Sequence, residues 1–281
     1  MLSRIYLEIT NICNRSCAFC PGTKRAPRAL TPEEFAFLAA KLRPHTDYLY
    51  LHVMGEPLAH PQLPELLTIA GELGFRVILT TNGTLLAARQ EALLSAPCLH
   101  KVHISLHSFE ANDRGGFAQY LHGCTAFGRA AMARGILINY RLWNLDGAET
   151  EGLHTRNDDI LAALHAAFPD EWDENSWGWR LAPGVFVQYG ERFEWPELSA
   201  RDRGARGRCL ALRQQAAVLC DGTVVPCCLD HEGDMALGNL FTQEWEEILS
   251  SPAACEIRGG FAAGRRTHPL CRTCGFASRF D

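Results

Sequence analysis

Three cysteines stand close together near the start of the chain, directly after a short apolar run. Cys13, Cys17 and Cys20 are spaced C-x3-C-x2-C and follow Ile5–Ile9. Three thiolates can ligate three irons of a [4Fe-4S] cube and leave the fourth iron open to another molecule. A structural zinc site uses paired ligands around one tetrahedral ion, and three thiols without a nearby fourth fit it poorly. The spacing therefore favours a cluster over zinc or a disulfide.

The residues around these thiols extend the pattern. A strand-like run precedes the first cysteine, and the aromatic Phe19 stands directly before the third. Spacing and context closely resemble the radical S-adenosylmethionine (radical SAM) enzymes. The resemblance implies that S-adenosylmethionine (SAM) chelates the open iron, is cleaved to a 5′-deoxyadenosyl radical, and lies beside Phe19. It also implies a one-electron reductant, such as flavodoxin or ferredoxin, as a protein partner.

Two further motifs match positions at which this family binds SAM. Met54-Gly55-Glu56-Pro57 corresponds to the family's GGEP motif, with Met in place of the first Gly. In the family the backbone and the Glu of this motif bind the ammonium group of SAM, and a carboxylate suits an amine because the hydrogen bond is charge-assisted. Thr80-Thr81-Asn82-Gly83 resembles the family's TNG segment. Asn82 and Ser105 are candidates for the ribose hydroxyls or the methionyl carboxylate, and Arg141 is an alternative for that carboxylate.

A second group of cysteines occupies the last part of the sequence. Residues 218–228 are typical of a hairpin with Asp-Gly at its turn, and the chain ends with a C-x2-C pair. The pattern resembles the SPASM/Twitch auxiliary-cluster region of radical SAM enzymes, and its length favours the shorter Twitch form. The resemblance implies a second [4Fe-4S] cluster on Cys209, Cys227, Cys271 and Cys274. Structural zinc is the alternative, since four thiolates suit it as well.

Five cysteines remain outside these two sets. Cys228 competes with Cys227 for the second site, but the spacing from the hairpin glycine favours Cys227. Free cysteines are commonly small buried hydrophobic residues. We expect that role for all five, namely Cys98, Cys124, Cys220, Cys228 and Cys255.

The overall composition limits the partners and the compartment. The 281 residues are 47% hydrophobic, so a sizeable core is available, and the net charge of −5 argues against a nucleic-acid partner. No apolar run approaches the length of a membrane span, and the first residues do not resemble a signal peptide. We therefore expect a cytoplasmic protein whose cysteines bind metal rather than form disulfides.

The elements that must position these residues alternate between strand and helix, which is typical of repeated βα units. We predict strands at Ile5–Ile9, Tyr48–Met54, Arg76–Thr80, Lys101–His107, Ile136–Trp143 and Gly184–Tyr189. We predict helices that begin near Thr31 and that span Gln62–Leu73, Leu85–Ser95, Phe117–Arg134 and Asn157–Ala167. Six such units predict an α/β fold, a partial open (β/α)6 barrel over residues 1–200, followed by a small hairpin-containing cluster module over residues 201–281. Parallel barrels place their chemistry at the carboxyl ends of the strands, where the three-cysteine loop begins.

Alternation along the strands predicts which side chains point into the barrel. On the second strand Leu51 and Val53 should pack on the helices, which leaves Tyr50 and His52 inward; on the first strand Glu8 should point inward. The same alternation places further polar side chains inward, namely Thr10, His103, Ser105, His107, Asn139, Arg141 and Trp143. A polar lumen indicates a polar small-molecule substrate beside SAM, unless these groups pair with one another.

We predict that Glu8, His52 and Tyr50 hold this substrate. An inward carboxylate such as Glu8 suits the N–H edge of a guanine-like base. Radical SAM enzymes of similar size include queuine lyase and aminoglycoside-type alcohol dehydrogenases, which act on small polar molecules. Many relatives with SPASM/Twitch regions modify ribosomal peptides and carry an N-terminal peptide-recognition domain; this sequence starts at its first strand, so we expect a small substrate. A non-catalytic metal-cluster scaffold is a third possibility.

Two segments interrupt the βα pattern. Residues 172–179 contain three tryptophans and are predicted to form a loop, either as a packing cluster or as a cap over the barrel mouth. Residues 199–208 are charged and contain glycine, which is typical of a linker.

Overall fold

The computed structural model describes residues 1–109, 115–145 and 156–280. Its strands are β1 (Arg4–Leu7), β2 (Tyr48–Tyr50), β3 (Arg76–Thr81), β4 (Leu99–Ser105), β5 (Leu137–Leu145), β6 (Asp173–Asn175), β7 (Gly178–Ala182), β8 (Val185–Glu191), β9 (Gln215–Val218), β10 (Thr223–Val225) and β11 (Gly238–Asn239). Its α-helices are α1 (Pro32–Leu42), α2 (Leu63–Glu72), α3 (Leu86–Leu94), α4 (Phe117–Met132), α5 (Asn157–Ala167), α6 (Trp245–Leu249), α7 (Pro252–Ala262) and α8 (Pro269–Thr273).

The strands form one open sheet. Its order within the described ranges is β11-β10-β9-β1-β2-β3-β4-β5-β8-β7-β6. The run from β9 to β8 is parallel throughout, and antiparallel strands extend the sheet at both ends. The prediction of a partial, open α/β barrel is confirmed.

The C-terminal hairpin is part of this sheet. The predicted hairpin consists of β9 and β10, and β9 pairs in parallel with β1, from Arg4 opposite Gln215 to Leu7 opposite Val218. The last third of the chain therefore supplies the strand beside the one that leads into the three-cysteine loop. The domain boundary near residue 200 stays a prediction.

The helices begin and end close to where the sequence places them. At the start of α1, Thr31 accepts a hydrogen bond from the Glu34 amide and Glu34 accepts one from the Thr31 amide, while Pro32 fills the first turn. The ends of α2 to α5 lie within two residues of the predicted ends. In the ranges given above, no helix is both long enough and apolar enough to cross a membrane.

The first two strands are shorter than predicted, which changes one side-chain direction. β1 ends at Leu7 and β2 ends at Tyr50, so the chain leaves the sheet before Val53. Leu51 is buried in the main core against the helices, as predicted. Val53 instead packs in the second cluster, beside Tyr50 and Tyr6. The prediction that Val53 faces the helices is wrong, because strand alternation does not extend into a bend.

The tryptophan segment is a hairpin rather than a loop. β6 and β7 pair with each other, and β7 pairs with β8, so residues 173–182 extend the sheet. The Trp172 ring stacks on His165 with 3.6 Å between centroids, and Trp179 packs against Tyr189. Trp177, at the turn, is 69% exposed. The packing-cluster interpretation is therefore confirmed for two of the three tryptophans.

The tight packing of α4 on the sheet generates a stability prediction. An added Cβ at Gly128 would collide with the Tyr140 hydroxyl, which donates to the Cys124 carbonyl at 3.1 Å. Gly128→Ala should therefore lower the free energy of unfolding by about 1–3 kcal/mol, the usual cost of overpacking. Gly123→Ala on the same helix meets no atom within 4 Å and should raise it by up to about 1 kcal/mol. Thermal unfolding of the two variants checks this, and a shift in the same direction for both would contradict it.

Candidate active site

The three cysteines of the first motif lie in the loop that connects β1 to α1. Cys13 and Cys20 are exposed, and Cys17 is half-buried. The Cys20 amide donates to the Cys17 carbonyl at 3.0 Å, and the Cys17 thiol lies 3.7 Å from the carbonyl of Ser108, just beyond β4. The loop thus presents three accessible thiols at the carboxyl ends of the strands. This donor set fits a cluster that has one open iron.

Gly55 brings the segment after β2 against the start of this loop. Its φ is +73°, and a Cβ there would lie 2.9 Å from the Asn11 carbonyl carbon and from the Ile12 oxygen. The neighbouring Glu56 amide donates to the same Ile12 carbonyl at 3.0 Å. A glycine is needed here both for the backbone angle and for the close approach.

Glu56 follows β2 in the chain, and its buried carboxylate lies against the carboxyl end of β3. One oxygen accepts from the Leu58 amide (3.0 Å) and the Thr81 hydroxyl (2.7 Å), and the other accepts from the Asn82 amide (2.7 Å). Burial raises the pKa of Glu56, and these three hydrogen bonds oppose that rise. The carboxylate is held rigidly, and one acceptor position of about four is left for a ligand amine.

Asn82 connects β3 directly to the cysteine loop. Its side-chain amide donates to Asn14 at 2.9 Å, and Asn14 stands next to Cys13. The Asn82 carbonyl accepts a hydrogen bond from the Tyr120 hydroxyl at 2.8 Å. Sequence reasoning missed both residues, because Asn14 is one of the variable positions between the cysteines and Tyr120 belongs to no motif. Asn82 therefore positions the loop, in addition to its predicted contact with SAM.

Phe19, Ser105 and Arg141 lie at the same edge of the barrel. The Phe19 ring packs against His107 with 4.9 Å between centroids, and a ring nitrogen of His107 lies 3.0 Å from the Arg141 carbonyl. Burial is the main cause that lowers the pKa of His107 to about 4, so its ring is neutral. Ser105 and Arg141 face each other in register on β4 and β5.

Three aromatic rings line the barrel interior beside β1 and β2. The Tyr6 ring lies 4.8 Å from Tyr50 and 5.3 Å from His52, measured between centroids. Burial, and then the Arg141 charge, lower the pKa of His52 to about 3. Its Nδ1 is buried and has no hydrogen-bond partner in the described chain. Tyr6 was not among the predicted site residues, although the alternation that points Glu8 inward also applies to it.

A polar row crosses the interior on the next strands. The Asn139 side-chain amide lies 3.0 Å from the His103 Nδ1 and donates to Gln188 at 2.9 Å. The Asn139 Oδ1 is buried without a hydrogen-bond partner in the ranges that the structure covers. Burial and the nearby cations, Arg141 first, hold the pKa of His103 well below its usual value. The inward direction predicted for His103 and Asn139 is confirmed.

Glu8 is fully buried and engaged by the protein itself. Its two oxygens accept from the two terminal nitrogens of Arg25 at 2.7 and 2.8 Å. They also accept from the backbone amides of Met54 and Cys220, both at 3.0 Å. A carboxylate has about four acceptor positions, so a substrate contact would require one of these donors to leave. The substrate role of Glu8 stays a prediction, and the geometry favours a positioning role.

The four cysteines assigned to the second site line one cavity. This cavity has about 480 Å³ of empty space, including its open mouth. Its lining is mostly apolar around the thiols of Cys209, Cys227, Cys271 and Cys274. Burial raises the pKa of Cys227, and the neighbouring thiols raise it further. Cys228 lies on the opposite side, packed with Tyr6 and Tyr50.

The donor set of this cavity fits two kinds of metal group. Four thiolates suit a tetrahedral zinc ion and also a [4Fe-4S] cluster. The side chains of Cys209, Cys227, Cys271 and Cys274 line one cavity, so the residues present can hold either group.

The remaining cysteines follow the expectation with one exception. Cys98, Cys124 and Cys220 are buried, and Cys228 is half-buried. Cys255 is exposed on α7, so the expectation of burial is wrong for it. Because α7 is short and has small residues on most of its faces, its sequence does not show which face packs against the rest of the protein.

Comparison with known families agrees with both sites. The family model described as "Radical SAM superfamily" matches residues 7–160, which contain the first cysteine motif. The model described as an iron-sulfur cluster-binding domain, SPASM, matches residues 209–275, which contain the second set. The zinc alternative for the second set is therefore not supported.

Individual relatives are more distant. A probable GTP 3',8-cyclase of Methanocella arvoryzae is 33% identical over 124 residues, which are 43% of this chain and 39% of that protein. The chain thus spans about two fifths of that relative. The structure of BtrN with AdoMet and 2-DOIA is 20% identical, with a TM-score of 0.62 and coverage of 98% of this chain and 93% of that chain. The structure of Streptococcus suis SuiB bound to precursor peptide SuiA is 14% identical, with a TM-score of 0.59 and coverage of 99% of this chain and 70% of that chain. The two structures share the fold.

The close approach of Gly55 to the cysteine loop gives one prediction. Gly55→Ala should displace the loop and lose the first cluster, so anaerobically reconstituted protein should hold about half the iron of the wild type. Gly135→Ala is the matched control, because its φ is +74° and no atom lies within 4 Å of the added Cβ. Iron and sulfide analysis checks this. Full iron content in the Gly55→Ala protein would contradict it.

The buried ion pair between Glu8 and Arg25 gives a prediction about stability. Glu8→Gln keeps the shape but leaves the Arg25 charge buried and unpaired, which should cost about 3–5 kcal/mol of stability. Asp173→Asn is the control, since it breaks an exposed pair with Arg180 and should cost at most about 1 kcal/mol. Anaerobic thermal unfolding of the holoproteins measures the difference. Equal midpoints of thermal unfolding for the two variants would show that the buried pair stabilises the protein no more than the exposed pair does.

Proposed function

The chain belongs to the radical SAM superfamily, and from that premise we propose that it abstracts a hydrogen atom from a small polar molecule held inside the barrel. When bound, the [4Fe-4S] cluster and SAM supply the 5′-deoxyadenosyl radical that this reaction needs. The observation that supports the small polar substrate is the set of buried interior groups without a partner. In the described chain these groups include the His52 Nδ1, the Asn139 Oδ1 and the Trp143 Nε1.

These groups give a ligand both affinity and specificity. A buried polar group that stays unsatisfied costs about 1–3 kcal/mol, so a molecule with matching donors and acceptors gains that energy on binding. His52 has a low pKa, so its neutral ring can accept a hydrogen bond from a hydroxyl or an amide. The Tyr50 ring borders it, with 6.0 Å between centroids. We therefore assign substrate contact to His52 and Tyr50, with Glu8 behind them.

The cofactor region follows from the loop contacts. We propose that Cys13, Cys17 and Cys20 hold the catalytic cluster. We place SAM among a larger set at the carboxyl ends of the strands, namely Phe19, Gly55, Glu56, Asn82 and Ser105. The rigid hydrogen bonds of Glu56 and Asn82 fix the strand ends against the loop. Preorganised donors and acceptors of this kind need little reordering when the cofactor binds.

The second cluster lies beside the same interior. We propose that Cys209, Cys227, Cys271 and Cys274 hold it, so that its irons have no open position for a substrate. Cys227 lines its cavity, and the next residue, Cys228, packs with Tyr6 on the substrate side. This short separation suits electron transfer between substrate and cluster, and four thiolates also stabilise the local fold. A flavodoxin or ferredoxin in the cytoplasm is the proposed reductant.

The candidate substrates fall into two chemical classes, small polar molecules and peptides. A 7-deazaguanine-type molecule, as in a queuine lyase, and an amino-sugar alcohol both suit a small polar interior. A ribosomal peptide is the second candidate, because a peptide-bound protein, SuiB, has a similar fold. A peptide would require much of its length to lie outside the barrel, whereas the unpartnered groups lie within it.

The assignment of the first cluster gives the test of this function. Replacement of Cys13, Cys17 and Cys20 by Ala should abolish 5′-deoxyadenosine formation from SAM under reducing, anaerobic conditions. The iron on the C-terminal set should remain. Chromatography of the products together with iron analysis measures both. Formation of 5′-deoxyadenosine by the triple variant would overturn the assignment, and the matching replacement of Cys98, Cys124 and Cys255 should have no such effect.

A further inference from the structure

Three cationic side chains belong to the inner face of the barrel. Arg4, Lys101 and Arg141 stand on β1, β4 and β5 at positions that alternate with core residues. Their strand neighbours Ile5 and Val102 are fully buried on the helix side. The alternation of a strand therefore directs the three cations toward the interior.

No carboxylate of the described chain is paired with these cations. The two inward carboxylates nearby are occupied, Glu8 by Arg25 and two amides, and Glu56 by three donors of its own segment. Burial lowers the pKa of Lys101, and the charge of Arg141 lowers it further. The groups that act on Arg141 are Tyr6, Tyr50 and Cys228, none of which is a carboxylate.

The imbalance is specific to this interior. The chain as a whole has a net charge of −5, so carboxylates are abundant elsewhere. The three side chains are half-buried, so the lack of a counter-ion disfavours their charged forms, and neighbouring like charges add to this effect. SAM does not correct the imbalance, because its ammonium and sulfonium groups outweigh its one carboxylate and leave it with a net positive charge. The two proposed clusters carry the negative charge of their thiolates at their own sites, whereas an anion that contacts the guanidinium of Arg141 directly would pair it.

Arg141 is the best placed of the three to bind such an anion. Its Nε is buried without a hydrogen-bond partner in the residues that the structure describes, while the side chain is only partly buried. Its guanidinium carbon lies 4.7 Å from the centroid of the Trp143 ring, which supports the planar group on one side. A guanidinium in this state can donate two parallel hydrogen bonds to a carboxylate or phosphate.

Arg141 lies between the cofactor edge and the substrate side of the barrel. Its backbone carbonyl lies 3.0 Å from a ring nitrogen of His107, which packs against Phe19 of the cysteine loop. Its guanidinium lies over the Trp143 ring and interacts electrostatically with Tyr6, Tyr50 and Cys228. The guanidinium thus faces the aromatic interior, which favours a contact with the substrate over the expected contact with the methionyl carboxylate.

We propose that the substrate is an organic anion whose carboxylate or phosphate group binds Arg141, with Lys101 contributing to the positive field. This rests on the proposed function and narrows its substrate class. The His52 Nδ1 and the Asn139 Oδ1 accept hydrogen bonds from the rest of the molecule, and the Tyr6 and Tyr50 rings cover its apolar part. A cationic amino sugar is disfavoured, because like charges would meet in a buried space.

Equilibrium dialysis of the reconstituted holoprotein with SAM tests the proposal. The probes are radiolabelled inorganic phosphate, radiolabelled acetate and radiolabelled glycerol as a neutral control. Phosphate or acetate should bind at one site per chain, and glycerol should not; the anion that binds more tightly identifies the acidic group. Arg141→Gln should weaken that binding by about tenfold or more, equivalent to about 1.4 kcal/mol. Arg180→Gln, on the exposed hairpin, should leave it unchanged.

Two further measurements distinguish failure of the anion-binding proposal from failure of the proposed function. SAM binding by Arg141→Gln is measured in parallel with anion binding, and Arg141→Lys should restore part of the anion binding that Arg141→Gln loses. Loss of SAM binding in Arg141→Gln would assign this residue to the cofactor and overturn the proposal, while the proposed function would stand. Absence of anion binding in the wild type, or equal binding in Arg141→Gln and the wild type, would also overturn it. Absence of 5′-deoxyadenosine from the wild type would overturn the proposed function itself.

Discussion

The buried carboxylate of Glu8 joins the parts of the chain that both cluster sites require. It binds Arg25 from the segment after the first cysteine motif, the Met54 amide before Gly55, and the Cys220 amide in the C-terminal hairpin. A carboxylate buried this deeply must have all its acceptor positions filled, and the three donors come from regions far apart in sequence. The charge of one side chain thus fixes the cysteine loop, a strand end and the second cluster region relative to one another.

This arrangement divides the interior into three regions. Hydrogen bonds within the protein satisfy the strand ends beside the cysteine loop, so that region is rigid before any cofactor binds. The four C-terminal thiols line a separate, mostly apolar cavity. Between them lies a polar space with aromatic walls, unpartnered nitrogens and uncompensated cations. The rigid strand ends and the thiol-lined cavity suit bound cofactors, and the unsatisfied region suits a molecule that enters and leaves.

Much of the fold could be predicted because local patterns dominate it. The βα alternation predicted the parallel strands and the helices. The cysteine spacing predicted the first thiol set, and the resemblance to the SPASM/Twitch region implied the second. The predicted side-chain direction was wrong where a strand ends early, as at Val53, because side chains alternate between the two faces only within a sheet. The environment of Glu8 could not be predicted, since its partners lie 17, 46 and 212 residues away. The uncompensated charge of Arg141 likewise depends on which carboxylates are already engaged, and sequence does not show that.

We propose that two clusters are held in one rigid protein frame and that only one of them is open to SAM. Electron paramagnetic resonance of the reduced holoprotein, recorded with and without SAM, measures this. Two cluster signals should appear, and SAM should shift one of them. Replacement of Cys209, Cys227, Cys271 and Cys274 by Ala should remove only the signal that does not respond. A single cluster signal in the wild type, or two signals that SAM leaves unchanged, would show that this arrangement is wrong.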